Sequence, residues 1–166
     1  GKLCPVYCLA KIENLKVAKS DASWLKKLSD SGMRSVNNIA DVTNLIMLEY
    51  GQPLHCFDAQ KVAGGIKVRL AKRGEKILTL DGKVRNLSEK DLIIADETGP
   101  VAIAGVMGGK ESEASDQTSS ILLEAAIFDP VNVRNTSKRL GLYSESSKRF
   151  LHGLTKTNLL QALSAA

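Results

Sequence analysis

Histidine is scarce in this sequence, and only His55 and His152 occur among its 166 residues. An imidazole changes its charge near neutral pH, so a histidine beside a substrate can transfer a proton or orient a water molecule. Two residues just before His55 shape the backbone there. Gly51 suits the left-handed position that ends a helix, and Pro53 prevents the helix from resuming. The sequence therefore predicts that a stiffened loop presents His55, and an ordinary hydrogen-bonded loop histidine is the alternative.

A second candidate is Glu124, which interrupts the apolar run from Ile121 to Phe128. A carboxylate at this position lies either on a solvated face or in the core with a partner, because burying it unpaired is costly. If it is buried, a hydrogen-bond donor must lie beside it, and the hydroxyl of a substrate can be that donor. The residues themselves leave both alternatives open.

Two polar residues, Thr43 and Asn44, lie within a segment whose apolar residues have helical spacing. Either they are ordinary exposed helix residues, or they border the same cleft as His55. The chain shows no G-x-S-x-G motif and no Ser-His-Asp or paired-carboxylate signature. The residue types therefore indicate where a site lies, but not which reaction it performs.

A glycine-rich stretch at residues 105–110 superficially resembles a phosphate-binding loop. The Walker pattern requires glycine where Ala104 stands, and serine or threonine where Glu111 stands. Both requirements fail, so the sequence does not predict a nucleotide site here. The glycines instead indicate a turn, or the close approach of another group to the backbone.

The composition is that of a soluble globular protein, with 43% hydrophobic residues, 25% charged residues and a net charge of +5. The positive charge permits contact with RNA phosphates, but an aromatic content of 4% argues against a base-stacking platform. We expect no membrane-spanning segment and no secretory signal. The odd set of Cys4, Cys8 and Cys56 predicts reduced thiols, as in the cytoplasm, and offers too few ligands for a zinc site.

Apolar spacing, capping residues and turn residues predict the elements that must position these side chains. The strongest hairpin signal is Asp81-Gly82, between two apolar segments. Strands are predicted at residues 6–12, 66–70, 77–80, 83–87, 92–95, 101–106 and 121–127. Helices are predicted at residues 20–32, 38–50, 130–141 and 156–166.

The order of these elements predicts the α+β class, with helices packed on a mixed, largely antiparallel sheet. We expect a single domain over residues 1–166. The alternative is two intertwined subdomains, along a chain with a helix-rich part (1–63), a β-rich part (64–130) and closing helices (131–166).

Four motifs follow one another along the chain, at residues 34–44 with 47–58, 104–109, 122–126 and 141–150. In their order and spacing they resemble the editing domain of the bacterial-type phenylalanyl-tRNA synthetase beta subunit. The resemblance covers nearly the whole chain. It implies the editing-domain fold of that family, which a tRNA-lysidine synthetase domain shares without being expected to match all four motifs.

The resemblance implies a proofreading domain that hydrolyses mischarged Tyr-tRNA(Phe), within an enzyme that aminoacylates tRNA(Phe) with phenylalanine. A pocket for phenylalanine cannot strongly reject an isostere that only adds a hydroxyl, so a second site must remove the error. The implied enzyme is a cytoplasmic α2β2 heterotetramer that uses ATP and magnesium in its alpha subunit, and the domain itself needs no cofactor. The alternative is a non-catalytic tRNA-docking or scaffold domain of the same subunit, with decayed editing.

The resemblance implies that Glu124 recognises the phenol hydroxyl of tyrosine, beside the backbone at Gly108. Pro53 and His55 line the pocket near the ester and the terminal adenosine. We expect Glu124, Gly108, His55 and Thr43 to line one cavity. The resemblance does not define a general base, since His55 can orient water or the ribose hydroxyl of the tRNA can assist.

The remaining roles implied by the resemblance concern four polar residues. Thr43 and Asn44 place the aminoacyl group or the attacking water. Ser144 and Ser146 flank the tyrosine pocket, where the family usually has threonine and alanine. The family's Arg-Phe-Glu-Arg-Gly reads Arg-Phe-Leu-His-Gly at residues 149–153. These departures bear on the dimensions of the pocket and not on the fold.

Overall fold

Five helices and nine strands make up the computed structural model, which describes residues 1–166. The helices are α1 (Ala22–Asp30), α2 (Asn38–Tyr50), α3 (Pro130–Leu140), α4 (Glu145–Leu151) and α5 (Lys156–Ala165). The strands are β1 (Val6–Glu13), β2 (Leu54–Asp58), β3 (Lys67–Leu70), β4 (Lys76–Leu78), β5 (Val84–Asn86), β6 (Leu92–Ala95), β7 (Pro100–Ile103), β8 (Met107–Gly108) and β9 (Ser120–Ile127).

The strands form three antiparallel sheets and not one. Sheet 1 has the order β1-β9-β2, sheet 2 has the order β3-β6-β7-β8, and β4 and β5 form a separate hairpin around Asp81-Gly82. The predicted α+β class with antiparallel pairing is confirmed. After β8 the chain returns to sheet 1, where β9 is the central strand and pairs with both β1 and β2.

Helix ends follow the capping residues. The Asn37 side chain accepts a hydrogen bond from the backbone N–H of Ala40 at the start of α2. Gly51 ends the same helix with φ of 69°, in the left-handed conformation that glycine adopts without strain. Pro130 begins α3 after an Asp129 cap. The predicted bounds of α2 are therefore confirmed, and a short connection joins α2 to β2.

The main core lies around sheet 2. All four residues of β6 are buried, and their neighbours in the core include Phe57 of sheet 1, Phe128 after β9 and Phe150 of α4. Phe128 and Phe150 pack with their ring centroids 5.1 Å apart. This aromatic contact holds α4 against the end of β9.

Two local predictions were wrong. His55 lies on β2 and not on a loop, because residues 54–58 pair with β9 directly after Pro53. The strand predicted over residues 101–106 ends at Ile103, since Gly105 adopts φ of 68° and turns the chain into β8. Helix α4 was not predicted at all. No helix has both the length and the apolar character needed to cross a membrane.

Candidate functional site

A cavity of about 250 Å³ lies between sheet 1, sheet 2 and the start of α4. Most of its lining is apolar and comes from the segments at the ends of β2, β7 and β8. Its only polar side chains belong to four residues, His55, Glu124, Ser144 and Ser146. We call this cavity the first cavity. Pockets of this kind, apolar with a few polar groups, are typical of ligand sites.

Glu124 is a buried carboxyl group in the middle of β9. Of the two alternatives for this residue, the structure supports burial with a partner. The partner is the Tyr7 hydroxyl on β1, which donates to Oε2 of Glu124 at 2.9 Å. Sequence reasoning missed Tyr7, because the two residues are 117 positions apart and only the pairing of β1 with β9 brings them together.

Burial sets the protonation of the groups around Glu124. It raises the pKa of Glu124 to about 8, and the hydrogen bond from Tyr7 opposes that rise. Burial, with the Glu124 charge as a further cause, also raises the pKa of the Cys56 thiol to about 12 and that of the Tyr7 hydroxyl above its usual range. At neutral pH this part of the site is therefore largely uncharged.

His55 faces Glu124 across the pairing of β2 with β9. Its ring meets the Phe57 ring edge-on, with centroids 4.6 Å apart. The Nε2 atom is buried without a hydrogen-bond partner. Burial lowers the pKa of His55 to about 4, with the Glu113 charge acting in the opposite sense. The imidazole is thus neutral at pH 7, and an orphaned nitrogen at the wall of a cavity can bond to a ligand or a water molecule.

Gly108 lets the histidine ring approach the backbone. A Cβ at this position would lie 2.5 Å from Cε1 and 2.8 Å from Nε2 of His55, so no larger residue fits without moving the ring. The glycine is held by β8, where it pairs with Ala102, and its carbonyl accepts from the Leu80 N–H at 3.1 Å. The predicted closeness of Gly108 to the site therefore has a steric basis.

Pro53 is buried and lines the first cavity at the entry to β2. It is fixed by Gln52, which sequence reasoning also missed. The fully buried Gln52 amide donates through Nε2 to the carbonyls of Pro53 and Ala126, both at 3.0 Å. One side chain thus ties the start of β2 to β9.

Ser144 and Ser146 both line the first cavity, at the start of α4. Ser144 caps the helix, because its Oγ accepts from the Ser147 N–H at 3.0 Å. The same hydroxyl donates to the Val106 carbonyl at 2.7 Å. Ser144 therefore joins α4 to the turn before β8, whereas Ser146 makes no such connection.

Thr43 and Asn44 are placed elsewhere. They lie on α2 and line a second cavity of about 390 Å³, which includes Glu113 but not Glu124. The two cavities share three residues, Leu54, His55 and Leu80. The expectation that Thr43 and Glu124 line one cavity is therefore not met, because α2 packs against β2 and these shared side chains stand between the two spaces.

No group of three or more His, Cys, Asp or Glu side chains is arranged to hold a metal ion. The three cysteines are not bonded to one another. The chemistry that the geometry offers is recognition of an apolar or aromatic group in the first cavity, hydrogen bonding by a buried carboxyl group, and a neutral imidazole between the two cavities.

The chain belongs to the B3/4 domain family, whose sequence model matches residues 3–166. It is 52% identical over 165 residues to the phenylalanine–tRNA ligase beta subunit of Protochlamydia amoebophila, a match that covers 98% of the chain and 20% of that subunit. The corresponding subunit of Geobacter metallireducens is 50% identical over 165 residues, which cover 99% of the chain and 21% of the subunit. The resemblance to this beta subunit is confirmed.

A solved structure shows the same fold. The N-terminal fragment of the phenylalanyl-tRNA synthetase beta subunit from Pyrococcus horikoshii aligns with a TM-score of 0.54 at 15% sequence identity. The alignment covers 84% of this chain and 46% of that fragment. The chain spans about a fifth of the length of the curated relatives that it matches.

Proposed function

We propose that this domain proofreads for a phenylalanyl-tRNA synthetase by hydrolysing tyrosine from mischarged Tyr-tRNA(Phe). The observation that carries the proposal is the first cavity, a largely apolar space with one buried carboxyl group and a neutral histidine in its wall. An aromatic ring matches the apolar lining, and the carboxyl group offers a partner for a phenol.

Selectivity for tyrosine follows from the cost of an unpaired polar group. The phenol O–H of a bound tyrosine donates to Glu124, whereas phenylalanine excludes water from the same acceptor and leaves it unpaired. A buried group left without its partner costs about 1–3 kcal/mol, which corresponds to roughly 5- to 150-fold in selectivity. Gly108 and Pro53 shape the space beside the carboxyl group, and Ser144 and Ser146 close it from the side of α4.

The ester of the substrate lies at His55, between the two cavities. The second cavity, with Thr43 and Asn44 in its wall, receives the terminal adenosine and helps to place the attacking water. Water adds to the ester carbonyl and the bond to the ribose oxygen breaks, so the products are free tyrosine and uncharged tRNA. A neutral His55 accepts a hydrogen bond from the water and orients it, while the ribose hydroxyl is the other candidate for assistance.

The relatives named above are beta subunits, and we infer that this domain is likewise part of a longer beta subunit. Its partners are then an alpha subunit, in an α2β2 heterotetramer, and tRNA(Phe). ATP and magnesium serve aminoacylation in the alpha subunit and not the hydrolysis here. The enzyme as a whole works where translation occurs, in the cytoplasm.

The test is deacylation of Tyr-tRNA(Phe) by the intact enzyme that carries this domain. We expect His55→Ala to lose hydrolysis and Glu124→Ala to lose the preference for tyrosine over phenylalanine. The matched controls are His152→Ala and Glu89→Ala, since both residues are exposed and lie outside both cavities. Normal clearance of tyrosine by both site variants would refute the site, and absence of hydrolysis by the unaltered enzyme would favour a tRNA-docking domain.

A further inference from the structure

Tyr7 is the only residue that donates a hydrogen bond to the buried Glu124 carboxyl group. It lies on β1, where Leu9 stands directly opposite Glu124 and Tyr7 stands opposite Ala126. Alternate residues of a strand share a face, so Tyr7 and Leu9 project to the same side of sheet 1 as Glu124. Tyr7 itself does not line the first cavity. It therefore reaches the carboxyl group from the side of β1, outside the lining of the cavity that Glu124 faces.

The two oxygens of the carboxyl group are not equivalent. Oε2 accepts from the Tyr7 hydroxyl at 2.9 Å, and Oε1 accepts no hydrogen bond from the protein. Even when it is protonated, a carboxyl group keeps acceptor capacity beside its own O–H, so two hydroxyl groups can bind it at the same time. A long side chain with one oxygen held in place also loses the freedom to turn away from a ligand.

We propose that Tyr7 is a positioning residue for substrate selection, which holds Oε2 of Glu124 so that Oε1 receives the phenol of the tyrosyl substrate. This inference rests on the proposed proofreading function and extends it. Two phenols then meet on one carboxyl group, one from the protein and one from the substrate. Phenylalanine supplies only the ring, so Oε1 stays unpaired.

A purely structural role for Tyr7 predicts a different result from a positioning role. If Tyr7 only supported the fold, its loss would slow hydrolysis of both esters to the same extent. If Tyr7 positions Glu124, its loss affects only the substrate that carries a hydroxyl. The hydroxyl lies far from the ester, so this contact is made in the bound substrate as well as in the transition state, and its loss raises KM more than it lowers kcat.

The experiment compares Tyr7→Phe with the unaltered intact enzyme on Tyr-tRNA(Phe) and Phe-tRNA(Phe). We expect the ratio of kcat/KM for tyrosyl over phenylalanyl ester to fall about tenfold, mainly through KM for the tyrosyl ester. The control is Tyr143→Phe, which removes an equivalent hydroxyl from a side chain that is 66% exposed. An equal loss on both esters, or an unchanged ratio, overturns the proposal for Tyr7.

The parallel variant Glu124→Gln separates this inference from the function on which it rests. If Glu124→Gln loses selectivity while Tyr7→Phe keeps it, the proofreading function stands and the role of Tyr7 fails. If the unaltered enzyme shows no preference for tyrosine, the proposed function itself fails.

A second measurement does not depend on the folding of any variant. In NMR spectra of the 166-residue chain, the Tyr7 hydroxyl proton and the Glu124 carboxyl carbon are followed while L-tyrosinamide is added, with L-phenylalaninamide as the control. We expect the carboxyl signal to shift only with tyrosinamide, and the Tyr7 hydroxyl proton to stay hydrogen-bonded. Displacement of the Tyr7 bond by tyrosinamide, or equal responses to both probes, overturns the proposal.

Discussion

His55 and Glu124 stand directly opposite each other on β2 and β9, yet they do not form an ion pair. Burial lowers the pKa of the histidine to about 4 and raises that of the carboxyl group to about 8. Near neutral pH the imidazole is therefore neutral and the carboxyl group is largely protonated. The wall of the first cavity combines two polar groups with almost no charge, which suits an aromatic ligand better than a charged one.

The first prediction concerns the pH dependence of stability at Glu124. Its pKa is about 8 in the folded protein and 4.5 as its ordinary value, so folding takes up a proton between these limits. The contribution of Glu124 to stability therefore falls as pH rises from 4.5 to about 8, by up to about 1.4 kcal/mol per pH unit, and levels off above that. The neighbouring groups that titrate are Tyr7, Cys4, Cys56 and His55.

Urea unfolding at several pH values measures this effect, with Glu124→Gln as the variant that cannot ionise. We expect the free energy of unfolding of the variant, relative to that of the unaltered protein, to increase as pH rises from 5 to 8. The exposed Glu89→Gln serves as the control for the replacement of a glutamate by glutamine. Parallel curves for the protein and Glu124→Gln would show that Glu124 ionises as freely in the folded state as in the unfolded state.

The second prediction concerns the protonation of His55. Its folded pKa of about 4 lies below the ordinary value of 6.5, so the unfolded chain takes up the proton first as pH falls. The stability that the neutral imidazole provides is present above pH 6.5 and is lost as pH falls towards 4. An NMR titration of the folded chain should show a His55 ring signal that does not shift between pH 8 and 5. A titration midpoint above pH 6 for this signal would show that the Nε2 atom of His55 is not buried without a partner.

The position of a helix was predictable where one segment had both apolar residues at regular spacing and a residue that ends the element. The helix at residues 38–50 has apolar residues at helical spacing and a glycine stop, and the structure places α2 at Asn38–Tyr50. Helix α4 has seven residues, too few for a periodic pattern, and its start is set by the Ser144 contact with Val106. The loop predicted for His55 failed for a similar reason, since β2 exists only through its pairing with the distant β9.

The site was predictable only through the four motifs. They identified His55, Gly108 and Glu124, which the structure brings to one cavity. The partners that fix these groups, Tyr7 and Gln52, carry no local signal, because each acts on residues that are distant in the sequence. Sequence spacing likewise cannot show that the side chains shared by the two cavities separate Thr43 from Glu124.

The third prediction concerns Ser144, whose hydroxyl makes two hydrogen bonds. Ser144→Ala removes the cap of α4 and leaves the Val106 carbonyl without this donor, so we expect a loss of about 1–2 kcal/mol in the free energy of unfolding. Ser146→Ala is the matched control, because Ser146 lines the same cavity without these bonds and should change stability by less than about 0.5 kcal/mol. Equal losses in the two variants would mean that the Ser144 bonds contribute little.

The fourth prediction concerns Gly108, where the backbone conformation is ordinary and only space is limiting. In Gly108→Ala the new methyl group meets the His55 ring at 2.5 Å, so the ring must move. We expect a loss of about 1–3 kcal/mol in stability and about a 100-fold fall in deacylation, since small displacements of reacting groups have effects of that order. Gly65→Ala, with no atom within 4 Å of its added Cβ, is the control.

A double-mutant cycle distinguishes this clash from a general disturbance of β8. His55→Ala removes the ring that the new methyl group would strike, so Gly108→Ala should destabilise the His55→Ala protein much less than it destabilises the unaltered one. The remaining contact, to Leu80 Cδ1 at 3.1 Å, involves the flexible end of a side chain and is relieved by a small movement. If Gly108→Ala costs the same in both backgrounds, the glycine serves the turn into β8 and not the approach of the histidine ring.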